Sequence, residues 1–174
     1  MVAQHLDLDI CVLVVDDNEH MRALMRAMLH AIGLRGVLEA ADGSQAMHRM
    51  REHEVDVIIT DLLMNPLDGL DFVRLLRQSP SSPCPTVPVI MVTGHSTLHH
   101  VQEARDAGVD ELLTKPVAAR DLVDRLNKVV EHRRPFVKTD GYFGPERRRR
   151  TDLAYDGPKR RAADAGVAET PAND

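Results

Sequence analysis

The chain has 174 residues, 43% of them hydrophobic and 28% charged, which is enough for one ordinary core with a tail left over. A formal charge of −5 and a pI near 6.0 exclude a polyanion-binding surface over the whole molecule, and five aromatic side chains with no Trp disfavour a base-stacking platform. No run approaches the length of a membrane span, Met1 to Asp9 lacks the pattern of a leader, and Cys11 and Cys84 have neither metal nor disulfide spacing, so a cytoplasmic chain with reduced thiols and no membrane contact is expected.

Ile10 to Val15 is an uninterrupted apolar run of strand length, as in a parallel strand covered on both faces, and it ends in Asp16-Asp17. Met21, Leu24, Met25, Met28, Leu29 and Ile32 then recur at helical steps between Asn18, a good N-cap, and Gly33, a good stop. Val37 to Ala40 reads as a short strand and Gly43 to Glu52 as a helix with Ala46, Met47 and Met50 inward. Val55 to Thr60 reads as a β-branched strand ending in Asp61. Gly69 to Gln78 is a third helix, and the four prolines in residues 79–88 exclude regular structure until a strand resumes at Val89 to Thr93. Leu98, Val101 and Ala104 mark a fourth helix stopped at Gly108. Glu111 to Thr114 is the last strand, and Leu122, Leu126, Val129 and Val130 form the stripe of the last helix. Five strands alternating strictly with five helices imply right-handed crossovers and a parallel sheet with helices on both faces.

Residues 9–133 hold this pattern, and beyond about Arg134 it disappears. Pro, Gly, Arg and Ala dominate residues 134–174, too irregular for a helix-turn-helix or winged module, so an irregular or partner-ordered tail is expected. The tail contains a degenerate repeat: Thr139-Asp140, Tyr142 and Gly144-Pro145-Glu146-Arg147-Arg148 are echoed by Thr151-Asp152, Tyr155 and Gly157-Pro158-Lys159-Arg160-Arg161. Two copies are too few for a solenoid.

In an open parallel sheet, ligands bind beyond the carboxyl ends of the strands. Asp16 and Asp17 end the first strand, Asp61 the third and Thr93 the fourth, while Lys115 follows the fifth. Singly these are ordinary residues: an Asp pair before a helix is more often a cap, and Lys115-Pro116 would pass for a solvated turn. Together they place three carboxylates at one edge, where they repel unless a cation sits among them. An all-oxygen set suits Mg²⁺, or Mn²⁺, better than zinc or copper. A phosphoryl group on Asp61 would share its charge between that ion and the Lys115 ammonium, with the Thr93 hydroxyl available for a hydrogen bond.

Asp16-Asp17, Asp61-Leu62-Leu63-Met64 with Asp68-Gly69, Thr93-Gly94 and Lys115-Pro116 closely resemble the receiver domains of two-component response regulators. The resemblance covers about residues 9–133. It implies the flavodoxin-like doubly wound α/β fold with strand order 2-1-3-4-5. It implies phosphotransfer to Asp61 from a sensor histidine kinase, a histidine phosphotransfer protein or a small acyl phosphate, followed by slow self-hydrolysis and no other enzymatic activity. The metal would sit on Asp16, Asp17, Asp61 and the main-chain carbonyl of Leu63. Two positions depart from the family pattern: Asn65 precedes Pro66 where proline usually follows Met64 directly, and Leu112 stands where many receivers carry an aromatic that swings inward. Leu63 and His95 hold the positions that flank the phosphoryl group and tune its lifetime; an apolar Leu63 should hinder the attacking water. His95, His99 and His100 show no defined ligand set and receive no metal.

Residues 138–161 carry eight Lys or Arg against four Asp or Glu, a local +4 centred on Arg147, Arg148, Arg149 and Arg150. This patch could dock on phosphate, on an acidic protein or back on its own receiver. The leading expectation is a signalling module that switches an unknown downstream protein partner; a homodimer through the fourth helix, fifth strand and fifth helix is compatible but encoded by no motif. The alternative is a receiver-regulated nucleic-acid binder using the Arg-rich tail, which the overall charge disfavours. An aspartyl-phosphate hydrolase of the haloacid dehalogenase type wants an aspartate at position 63, where Leu63 stands.

Overall fold

The computed structural model describes residues 9–94 and 97–147. Strands β1 (Cys11–Val15), β2 (Gly36–Ala40), β3 (Val57–Asp61), β4 (Val89–Thr93) and β5 (Glu111–Thr114) form one parallel sheet in the order β2-β1-β3-β4-β5. Helices α1 (Glu19–Ala31), α2 (Gly43–Glu52), α3 (Gly69–Gln78), α4 (Leu98–Ala107) and α5 (Ala119–Glu131) fill the crossovers.

Alternate strand residues sort to two cores, one on each side of the sheet. Val12, Val14, Val57, Ile59, Ile90 and Val92 pack with Met25 and Leu29 of α1 and with Leu122, Leu126 and Val129 of α5. Leu13, Val15, Ile58, Val89 and Met91 pack with side chains of α2, α3 and α4. Because neither face of the central strands is wet, β1, β3 and β4 are apolar at consecutive positions. Each fully buried Val, Leu or Ile contributes about 1.5–3 kcal/mol. Four of the five helices begin on polar caps: Asn18 accepts from the His20 and Met21 amides, Asp42 from Gln45, Asp68 from Asp71 and Thr97 from His100, while α5 starts on Ala118 without a side-chain cap. Gly108 ends α4 with φ of +97°, a left-handed cap that favours glycine.

The expected helix stripes need two corrections. Leu24 is 53% exposed, so α1 turns only Met25 and Leu29 fully inward. Leu98 and Val101 of α4 are also exposed, and this helix buries only the short side chains Ala104 and Ala107. Among the described residues no helix is long and apolar enough to cross a membrane.

The expectation of an irregular tail is corrected over the part that is described. β6 (Phe136–Thr139) and β7 (Tyr142–Pro145) pair antiparallel through the two-residue turn Asp140-Gly141, where Gly141 takes φ of +84°. The Phe136 and Phe143 rings meet at 5.5 Å. The hairpin packs β7 against α3 and α4, and its seat requires Gly144, where a Cβ would fall 3.0 Å from Gly108 Cα and 2.6 Å from the Tyr142 hydroxyl. Arg134 ties it down by donating to the Glu146 and Asp110 carbonyls. Arg147, at the exit of β7, pairs with Asp106 of α4 at 3.2 Å and stacks on the Tyr142 ring at 3.9 Å. Of the three dockings open to the basic patch, Arg147 thus takes the one on its own receiver. Arg148, Arg149 and Arg150 lie outside the described residues, as does the second copy of the repeat.

Candidate phosphoacceptor site

The sheet register sets the site. β1, β3 and β4 end side by side, with Val15 paired to Thr60 and Asp61 to Val92, and Thr93 is paired to Thr114 just before Lys115. The Lys115 amide donates to the Thr93 carbonyl at 2.8 Å, fixing the lysine directly beyond β5. Its ammonium lies 2.8 Å from Asp61 Oδ1 and 3.8 Å from Asp16 Oδ2. Asp61, Asp16 and Thr93 are buried, while the lysine is about a quarter exposed.

The carboxylates differ in their support. Asp16 Oδ1 accepts the Asn18 amide at 2.8 Å, and the Asp16 carbonyl accepts from Arg22. Asp17 Oδ2 accepts the Asn65 amide at 3.1 Å, which ties the β1 end to the loop after β3 and gives the residue inserted before Pro66 a positioning role. Burial pushes the Asp16 carboxyl above its ordinary value; the neighbouring charges of Asp61 and Asp17 push the same way, against the Asn18 amide and Lys115. Two negative groups crowded around one ammonium make a site short of positive charge.

Two contributions escaped sequence reasoning. The Asp61 carbonyl accepts from the Thr60 hydroxyl at 3.1 Å, and the backbone of Gly69 crosses it so closely that a Cβ there would sit 2.1 Å from this oxygen. The Asp68-Gly69 pair was legible as part of a motif, but the need for glycine arises from the close approach of α3 to the end of β3. Leu63 is 66% exposed in the loop after β3, two residues beyond Asp61. His95 lies outside the described residues. Leu112 packs partly buried against the α2–α4 core and lines a cavity of about 290 Å³ with Val101, Ala104, Arg134 and Arg147, so the tail reaches the face on which this leucine replaces an aromatic.

Comparison with known proteins places the fold in a family. The family model described as the response regulator receiver domain matches residues 12–127. The chemotaxis protein CheY of Pseudomonas aeruginosa is 31% identical over 120 residues, covering 69% of this chain and 95% of the relative. CheY-3 of Vibrio cholerae is 30% identical over 120 residues, 69% of this chain and 91% of the relative. Among solved structures, the chemotaxis protein CheY4 of Vibrio cholerae superposes with a TM-score of 0.64 at 30% identity, covering 70% of this chain and 98% of that one. A receiver protein from Pseudomonas putida gives 0.62 at 29% identity, covering 71% and 99%. The family match ends before β6, so the hairpin is an addition to the shared fold. Fold, strand order and family match agree: the chain belongs to the response regulator receiver family and carries the CheY-like receiver domain of two-component signalling.

Proposed function

We propose that Asp61 accepts a phosphoryl group from a histidine kinase or a histidine phosphotransfer protein, and that the modified receiver changes its affinity for a protein partner. The observation that carries this reading is the Lys115 ammonium held 2.8 Å from Asp61 Oδ1 and within 4 Å of Asp16. In the transfer, the P–N bond of a phosphohistidine breaks and a P–O bond to Asp61 forms; the imidazole leaves with the electron pair and takes a proton. Lys115 orients the carboxylate and then offsets charge on the phosphoryl oxygens. Thr93, at the adjacent strand end, supplies a hydroxyl to one of those oxygens.

Receiver domains generally bind Mg²⁺ at such an acidic site, and the donor set here fits it: Asp16, Asp17 and Asp61 are hard oxygen ligands, and the raised Asp16 carboxyl marks a place where added positive charge is favourable. Asp16, Asp17, Asp61 and the Leu63 carbonyl would hold the ion. When bound, it neutralises the phosphoryl oxygens and so lowers the barrier to transfer. The chemistry stops at self-phosphorylation and slow hydrolysis, since an exposed apolar Leu63 brings no base to the attacking water.

The nucleic-acid alternative is weakened at Arg147, whose guanidinium is committed to Asp106 and Tyr142. Incubation of the full chain with a small acyl phosphate and Mg²⁺ tests the reading. One phosphoryl group per chain is expected by intact mass, with none on Asp61→Asn; equal labelling of that variant would overturn it.

A further inference from the structure

The first turns of α4 carry a cluster that phosphotransfer does not use. His99 Nδ1 lies 3.0 Å from Glu103 Oε2, and the His100 ring stands edge-to-face to that of His99 at 6.0 Å. One ligand atom from each of His99, His100 and Glu103 lies within 4.8 Å of the other two. Among the described residues this is the one group of three or more His, Cys, Asp or Glu gathered so closely. From the sequence the histidines lacked a ligand set; the helix supplies it, because residues 99 and 103, four apart, and 100 and 103, three apart, share a face.

We infer that His99, His100 and Glu103 form a binding site for a divalent transition-metal ion of the zinc type, with water completing the coordination. Two imidazoles and one carboxylate suit Zn²⁺, Ni²⁺ or Cu²⁺ and not Mg²⁺, which prefers oxygen alone. At metal–ligand distances of about 2.0–2.2 Å, tetrahedral ligand atoms stand about 3.3–3.5 Å apart. The His99–Glu103 pair is already near that spacing, and the His100 ligand atom, within 4.8 Å of the other two, has up to about 1.5 Å to close. His99 is exposed and Glu103 about one-third exposed at the side chain, so rotamer changes can supply the movement without disturbing the core. The site shares no residue with the carboxylates at the strand ends, and its existence does not depend on the phosphotransfer reading. An ion there would cross-link the first turn and a half of the helix that follows Thr93.

The test is calorimetric titration of the full chain with Zn²⁺ in the presence of excess Mg²⁺, which competes for the all-oxygen site. The expected result is one Zn²⁺ per chain, with affinity reduced at least about tenfold in His99→Gln and in Glu103→Gln and unchanged in Asp61→Asn. Circular dichroism of the variants verifies that these surface changes leave the fold intact. Three results would overturn the site: no binding, equal binding by His99→Gln/His100→Gln, or loss of binding in Asp61→Asn, which would place the ion on the strand-end carboxylates.

Discussion

The sheet carries buried charge at both of its edges, and the two edges are built to different ends. At the amino edge Arg77 is 3% exposed, yet every end of its guanidinium is bonded: to the Gly108 carbonyl through Nε and one terminal nitrogen, to the Pro85 and Val87 carbonyls, and to Asp110 at 3.2 Å. Asp110 in turn accepts the Val89 amide at 2.9 Å, and the Phe136 ring of the hairpin lies over Arg77 at 5.0 Å. Burial pulls the Arg77 pKa down to about 10, which leaves it charged at neutral pH. At the carboxyl edge, Lys115 serves two carboxylates at once and remains partly open to water. A buried charge with all its partners fixes structure; a group of charges short of one partner is disposed to take up a cation and a phosphoryl group.

This contrast can be broken one side at a time. The largest stability effect is expected at the closed edge: Arg77→Ala strands Asp110 and three carbonyls, and should cost about 3–5 kcal/mol in denaturant unfolding while any folded protein still takes up phosphoryl. Phe136→Ala removes the lid over the same network and the contact with Phe143, and should cost about 1–2 kcal/mol because the ring is only partly buried. At the open edge the effects are kinetic. Leu63→Asn places a polar group beside the attacking water and should shorten the phosphoaspartate lifetime several-fold, an effect on the order of 1 kcal/mol, readable by timing dephosphorylation.

The smallest effect sharpens the comparison through its sign. The Asp16 carboxyl is raised in the folded state, so its ionisation opposes folding, and this penalty is present above the unfolded carboxylate range and relieved as pH falls through the folded value. Asp16→Asn should therefore raise Tm slightly at neutral pH in the absence of divalent ions, with the gain vanishing under acid conditions, while phosphoryl uptake falls. A loss of stability at neutral pH would show that Asp16 is a structural anchor like Asp110.

Most of the fold was legible because parallel strands buried on both faces write themselves as unbroken apolar runs, and because Gly33 and Gly108 mark where helices stop. Asp16, Asp17, Asp61, Thr93 and Lys115 were legible because each stands next to the end of such a run. β3 begins at Val57 rather than Val55; Asp56, just before it, donates its own amide to the Cys11 carbonyl and takes the Cys11 amide on its carboxylate. The amino edge was not legible: Arg77 looks like any basic residue near a helix end, and its partners are carbonyls at 85, 87 and 108 that no motif encodes. The hairpin did have a signal, Asp140-Gly141 between Phe136-Val137 and Tyr142-Phe143. Its strands are only four residues long, however, and the Arg, Gly and Pro content around them masked the alternation.

The central claim is that the incompletely satisfied edge is the reactive one. Peptide mapping of the chain after treatment with a small acyl phosphate and Mg²⁺ tests it most directly, with Asp61→Asn and Arg77→Ala treated in parallel. The account predicts one hydroxylamine-labile phosphoryl group on the peptide containing Asp61 in the parent and in folded Arg77→Ala, and none in Asp61→Asn. A phosphoryl group mapped to any other residue, or its persistence in Asp61→Asn, would contradict it.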